Sequence, residues 1–305
     1  SKTLNCWYSN NKRALPWRQT NDPYFIWLSE IILQQTQVKQ GLPYYVRFVA
    51  EFPSVFHLAN AEESAVLKLW QGLGYYSRAR NLHTTAKYIA NELDGKFPDN
   101  YKDLLKLKGI GDYTASAIAS ICFNQPAAVV DGNVFRVLSR YFGINTPINS
   151  SKGAKEFKQL AQELIDKKDP ATFNQAIMEF GAMQCKPQSP DCSVCPFNAS
   201  CMAFNENRIN ELPVKIKSAK AKKKFFNFLV LMSTEEKIIL EKREGKGIWQ
   251  NLYQFPLIET NKGFDFEDFK VMAENHALLK DKAFEMSLYN EEEIIHKLSH
   301  QHLYT

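Results

Sequence analysis

Four of the chain's six cysteines fall within 17 residues, in "CKPQSPDCSVCPFNASC" from Cys185 to Cys201. The spacing C-x6-C-x2-C-x5-C lets four thiols converge on one small volume using local chain alone. Pro187, Pro190 and Pro196 hold that loop open rather than helical. Four converging thiolates are what a cubane iron–sulfur cluster needs. Zinc held by four thiolates is the alternative, but zinc sites usually come as two CxxC knuckles and only Cys192 and Cys195 form one here. In a reducing compartment clustered cysteines more often bind metal than pair as disulfides. Cys6 and Cys122 stand alone in apolar contexts and read as small core residues.

A chain of 305 residues, 45% of them hydrophobic, can bury one large core or two moderate ones. No run approaches the roughly 18 apolar residues of a membrane helix. The opening "SKTLNCWYSNNKRALPWR" has no signal-peptide apolar stretch. The expectation is a cytoplasmic, monomeric protein without a membrane partner. The net charge of +5 is unevenly spread: residues 1–224 carry 29 Lys+Arg against 19 Asp+Glu, and residues 225–305 carry 9 against 14. A surplus of +10 in the first part points to a polyanion, while two ordinary solvated surfaces explain the charge equally well.

Residues 1–210 read as helical. Apolar residues recur at three- and four-residue steps in "DPYFIWLSEIILQQ", "AAVVDGNVFRVLSRYFG" and "TFNQAIMEFGAMQC". Gly41 with Pro43, Gly72 with Gly74, and Gly95 with Pro98 stand where helices should stop. Leu212 to Lys224, "LPVKIKSAKAKKK", holds six lysines and no aromatic residue, and reads as a solvated connector. Beyond it, short β-branched and aromatic runs such as "FFNFLVLM" and "KIILEKR" predict a small α+β domain over 225–305, which could be cut short at its end.

"LLKLKGIGDYTASAIAS" sets "GIG", Gly109 to Gly111, between two helices. Glycine lets the backbone turn sharply and approach another molecule closely. The second helix then offers free N–H groups and a positive dipole end to an anion, with Lys106 and Lys108 beside it. This is the helix-hairpin-helix way of holding a DNA phosphate; an ordinary helical corner is the plain reading.

The hairpin, "VVDGN" and the cysteine spacing, in that order, resemble the helix-hairpin-helix base-excision DNA glycosylases. "LPWR", "WLSEIILQQTQV", "GLGYYSRARNLH", "DGNVFRVLSR" and "FNQAIMEFGAMQC" are similar to the MutY-type adenine DNA glycosylases, and "GIWQNLYQFP" resembles their appended Nudix-like domain. The resemblance runs from about Leu15 to the chain end. It implies a mostly α fold: a six-helix barrel over about 21–125, an iron–sulfur half made of 1–20 with 126–211, the connector, and a Nudix-like domain. It implies a [4Fe-4S] cluster on Cys185, Cys192, Cys195 and Cys201, and a substrate of double-stranded DNA carrying adenine opposite 8-oxoguanine or guanine.

The resemblance also assigns roles. Glu30, in the apolar run "WLSEIIL", would be a buried acid of raised pKa that protonates adenine, a poor leaving group otherwise. Asp131 would stabilise the oxocarbenium-like sugar or add to it, and could also cap the helix behind it. Asn133 would orient the acids or the attacking water. Tyr113 stands where strand-cleaving relatives carry a Schiff-base lysine, and a phenol cannot form an imine. Gln35 and Thr36 would face the lesion pair, Leu73 and Tyr75 would wedge the duplex, and Arg18 and Gln175 would lie near the extruded adenine. Trp17 and Tyr76 read equally well as core or as DNA contacts. The C-terminal part lacks a metal-binding Nudix helix, so recognition rather than hydrolysis is expected there. Where the family reads 8-oxoguanine with Phe-Ser-His, this chain has Leu298, Ser299 and His300. Three rivals stay open: a thymine-mismatch glycosylase, an endonuclease III-like lyase, and a non-catalytic iron–sulfur DNA-binding protein.

Overall fold

The computed structural model describes residues 1–217, 221–245, 247–290, 292–298 and 301–305. They divide into two units, Ser1–Ile216 and Lys217–Thr305. The first is helical in order α1 Lys2–Asn11, α2 Pro23–Ile32, α3 Val38–Glu51, α4 Val55–Asn60, α5 Glu63–Trp70, α6 Ser77–Glu92, α7 Tyr101–Leu104, α8 Asp112–Phe123, α9 Gly132–Phe142, α10 Ser151–Leu164, α11 Pro170–Met183 and α12 Met202–Asn205. Side-chain caps fix where several begin. Asp22 accepts the Tyr24 N–H at 2.8 Å ahead of Pro23, and Asp131 accepts the Val134 N–H at 2.8 Å.

Helix α2 is buried nearly all round, with Trp27, Leu28 and Ile32 fully inaccessible, and packs on α8. Helix α1 packs on α11, where Trp7 meets Phe180 edge-on at 4.9 Å. It turns Leu4 and Tyr8 inward, so Cys6, read from sequence as a core residue, is exposed.

Two further expectations need correction. Gly41 and Pro43 do not end a helix; both lie inside α3. Gly41 is buried, and a Cβ there would come within 2.7 Å of Leu33 Cδ2, so this glycine serves close packing rather than termination. Residues 127–130, expected to be helical, are not. Buried Asn174 donates to Ser120 Oγ and the Ala127 carbonyl, both at 2.8 Å, and accepts the Val129 N–H at 3.1 Å. These bonds hold the segment as an extended strap between α8 and α11 that delivers Asp131 to the start of α9.

The connector expected over 212–224 is mostly claimed by its neighbours. Leu212 is buried and its carbonyl accepts from Arg140 at 3.0 Å, the Val214 carbonyl accepts from Ile148, and Ile216 pairs with Asn149 through both backbone groups. Lys222–Lys224 open the first strand of the second unit.

The second unit holds β1 Lys222–Phe228, β2 Glu241–Lys242, β3 Tyr253–Gln254, β4 Leu257–Thr260, α13 Phe266–Glu274, β5 Ile295–Lys297 and β6 Gln301–Tyr304. One sheet runs β4-β1-β6-β5, with β1 parallel to β6 and the other pairs antiparallel; β2 and β3 form a separate ribbon. A small core of Leu229, Ala273 and Leu279 gathers Ile258 and Phe269 around α13. Leu298 is described, whereas Ser299 and His300 lie outside the described residues.

Candidate active site and cysteine loop

Glu30 sits near the end of α2 and is 9% exposed. Burial raises its carboxyl from the ordinary range to about 7; Asp131 adds to the rise, while Tyr113 and Arg18 oppose it. Asp131 approaches from the N-terminus of α9. Burial pushes its carboxyl up as well, against the Val134 N–H and Asn133, which donates Nδ2–H at 2.8 Å. Tyr113, in the first turn of α8, donates to Met178 Sδ at 3.2 Å. Burial, with Glu30 and Asp131 nearby, drives its phenol well above the ordinary value. Three helices thus bring Glu30, Tyr113 and Asp131 together. At neutral pH Glu30 can hold and release a proton, beside Asp131 at a helix N-terminus and a neutral phenol.

Beside this trio lies a third carboxyl group, which sequence reasoning missed. Glu179 of α11 is buried and gripped by two guanidinium groups: Arg13 reaches it at 2.6 Å and Arg18 at 2.7 Å. Burial pushes its carboxyl up, but both arginines overcome that and hold it at about 2. Arg18 is therefore engaged in an ion pair. Gln175, one turn earlier, accepts the Tyr8 hydroxyl at 2.6 Å. Trp17 is buried edge-on to Tyr45 at 5.1 Å, which favours its core reading. The signal that exposes Glu30, a carboxylate inside an apolar run, was equally present in "AIMEFGAM".

Of the residues expected to probe the duplex, Gln35 and Tyr75 occupy left-handed backbone with φ of 54° and 46°, and Thr36 donates to the Gln34 carbonyl at 3.2 Å. Leu73 departs from the expected wedge: it is 7% exposed and packs into its own unit, whereas Tyr75 is 46% exposed. In the hairpin, Gly109 has φ 80° and a Cβ there would meet Asn81 Cβ at 2.8 Å. Gly111 is extended, opens α8 without a side-chain cap, and has nothing within 4 Å of where a Cβ would stand. The first amides of α8 are thus open to an anion. Lys106 is paired with Asp103 at 2.7 Å rather than aimed along the hairpin; Lys108 is exposed.

Cys185, Cys192, Cys195 and Cys201 line one cavity of about 210 Å³. Burial, and the charge of neighbouring cysteines, push the Cys192, Cys195 and Cys201 thiols up. Among the described residues no group of three or more His, Cys, Asp or Glu closes on a point as it would around one ion. Two arginines of α9, also missed, hold this loop. Arg136 donates to the carbonyls of Cys185 at 2.7 Å and Gly181 at 2.6 Å, and to Asn133 Oδ1 at 2.8 Å. Arg140, 2% exposed, donates to the carbonyls of Lys186 and Pro187 at 2.7 and 3.0 Å and lies 3.5 Å from Cys185 Sγ. Their partners are mostly main-chain carbonyls, which leave no residue pattern in the sequence.

Residues 28–171 match the model of the HhH-GPD superfamily base excision DNA repair proteins. The chain is 36% identical, over 99% of its own length and 83% of the relative's, to the adenine DNA glycosylase of Buchnera aphidicola subsp. Baizongia pistaciae (strain Bp). Among solved structures it is similar to a thermostable thymine-DNA glycosylase, with TM-score 0.62 and 30% identity, covering 67% of this chain and 94% of that one. It also shares the fold of endonuclease III in a non-covalent DNA complex, with TM-score 0.58 and 21% identity over 68% of this chain and 95% of that one. Fold and site together define an HhH-GPD base-excision repair enzyme. Within that superfamily, the chain belongs to the adenine DNA glycosylases. No helix among the described residues is long and apolar enough to cross a membrane.

Proposed function

We propose that this protein binds duplex DNA, extrudes adenine paired with 8-oxoguanine or guanine, and hydrolyses its N-glycosidic bond without cutting the strand. The observation that carries the reading is Glu30, a carboxyl poised at about 7 near the helix-capping Asp131 and with Tyr113, not lysine, alongside. Glu30 donates its proton to a ring nitrogen of adenine, so that the base leaves neutral. Asp131 lies against the sugar that loses the base and stabilises its positive charge until a water adds to the vacated carbon and gives its proton back to the Glu30 carboxylate. Asn133, braced by Arg136, fixes the Asp131 carboxylate. Arg18 and Gln175 face the extruded base, Glu179 orienting Arg18. Gln35, Thr36 and Tyr75 fill the duplex, and Gly109 to Gly111 with the first amides of α8 take a phosphate.

Four thiols around one cavity, with Arg140 beside it to offset their charge, fit a [4Fe-4S] cluster held by Cys185, Cys192, Cys195 and Cys201. Such a cluster would supply no step above; it would gather the four thiols, while Arg136 and Arg140 tie the loop to α9. Protein purified without air should be yellow-brown with about four iron and four sulfide per chain. Stoichiometric zinc in a colourless protein would reject it.

The function is tested with duplexes carrying A opposite 8-oxoguanine, A opposite G, and T opposite G, followed by alkali to break abasic sites. Product from the first two supports the reading. Product from T opposite G alone would turn it toward the thymine activity of the structural neighbour.

A further inference from the structure

Arg78, in "GLGYYSRAR", has no place in the proton chemistry above. It lies in the first turn of α6, and its two terminal nitrogens grip different loops. Nη1 donates to the carbonyls of Ile31 at 3.1 Å and Ile32 at 3.2 Å, and to that of Gln34. Nη2 donates to the carbonyls of Leu73 at 3.2 Å and Gly74 at 3.3 Å. Its Nε is buried with no partner, so the fork's main-chain contacts hold it in place.

Arg78 is half-buried, and even partial burial of a guanidinium has a cost that its partners must offset. The acceptors explain the choice. Helix α2 ends at the first loop, where its last carbonyls lack partners within the helix and a cation is favourable, and the second loop follows α5. The planar fork holds its nitrogens at a fixed separation, so one rigid group sets the spacing of the two turns. The guanidinium also lies 5.0 Å from the Trp70 ring and 5.7 Å from the Tyr75 ring. Each turn carries a left-handed non-glycine residue, Gln35 or Tyr75, and such strain persists only where the surroundings over-determine it.

We propose that Arg78 is a positioning residue that locks the Gln35–Thr36 turn and the Tyr75 turn into one jaw, and that extrusion of the adenine depends on it. The inference rests on the reading of both turns as DNA contacts. Arg78→Lys keeps the charge but cannot span both turns. In the free protein, hydrogen exchange should speed up at residues 33–37 and 71–76 together. With 2-aminopurine in place of adenine opposite 8-oxoguanine, the fluorescence rise that reports unstacking should be largely lost. Single-turnover excision of adenine should fall about tenfold to a hundredfold, the scale of a small misplacement, with its pH profile unmoved. Exchange unchanged in either turn, or excision within about twofold of wild type, would overturn the proposal; so would a moved pH profile, which would assign Arg78 to the proton-donating site. Should Arg78→Lys fail to fold, Arg78→Gln decides. Its shorter amide carries no charge and cannot bond the Ile31–Gln34 and Leu73–Gly74 carbonyls at once. The same exchange and unstacking signals should move the same way; unchanged signals would overturn it. Wild-type protein inactive on adenine opposite both partners would sink the functional reading, and the exchange measurement would still judge the jaw.

Discussion

Glu30 is useful because its burial is unfavourable. Its carboxyl titrates at about 7 in the fold, above its ordinary 4.5, so the folded state binds the proton more tightly than the unfolded chain. Stability therefore falls as pH rises from about 4.5 to about 7, by about 3 kcal/mol at most. Glu179 works in the opposite sense: its stabilisation is present above 4.5 and is lost as pH falls toward about 2. Glu30→Gln should abolish base release while leaving binding to lesion duplex largely intact. It should also make denaturation midpoints at pH 8 exceed those of the wild type, with little gain at pH 4. Wild-type single-turnover rates should decline above about pH 7, as the acid form is lost. A variant as active as the wild type would remove Glu30 from the proton-donating role. Tyr113 offers a second test. Lysine there should bring some strand cleavage and a borohydride-trappable adduct, since an amine would then lie near the sugar carbon. No trapped adduct would mean that position 113 does not reach the sugar. At this scale a carboxylate in an apolar run was legible in the sequence. Arg13, Arg136 and Arg140 were not, because their partners lie far along the chain, many of them main-chain carbonyls that leave no residue pattern.

Among the elements, the hairpin glycines separate folding from binding. Gly109 needs its left-handed φ of 80° and the space beside Asn81, so Gly109→Ala should cost about 1–3 kcal/mol of stability. Gly111 is extended with open space around it, so Gly111→Ala should leave stability within about 0.5 kcal/mol. Its methyl group would instead stand where a phosphate approaches. Affinity for undamaged duplex should fall several-fold in Gly111→Ala, as read by titration at fixed salt. If Gly111→Ala bound DNA normally, the hairpin would be an ordinary corner. Helical periodicity made the long helices legible, since burial of one face repeats every turn. It misled at Gly41 with Pro43, where the glycine meets Leu33 rather than ending a helix. It misled again at 127–130, where Asn174, from a distant helix, takes the hydrogen bonds a helix would have used.

For the whole molecule, composition located the change of character near residue 212, but hydrogen bonds from Arg140, Ile148 and Asn149 carry the first unit on to Ile216. Cutting after Ile216 therefore keeps those contacts and should leave a folded first unit that holds Glu30, Asp131, Tyr113 and the hairpin, so it should excise adenine alone. Residues 225–305 carry 9 Lys+Arg against 14 Asp+Glu, and like charge repels phosphate, so this part should add little non-specific affinity. Its contribution must come from a few directed contacts, and Ser299 with His300 is the pair that the family resemblance assigns. A hydrogen bond to a base is worth about 1–3 kcal/mol of discrimination, so the cut should weaken the preference for 8-oxoguanine over guanine opposite adenine by about tenfold to a hundredfold. Excision of adenine opposite guanine should suffer less. Ser299→Ala with His300→Ala in the full chain should reproduce much of that loss. If the second unit only steadies the first, both substrates should lose activity equally and the double substitution should be silent, which would retire its recognition role.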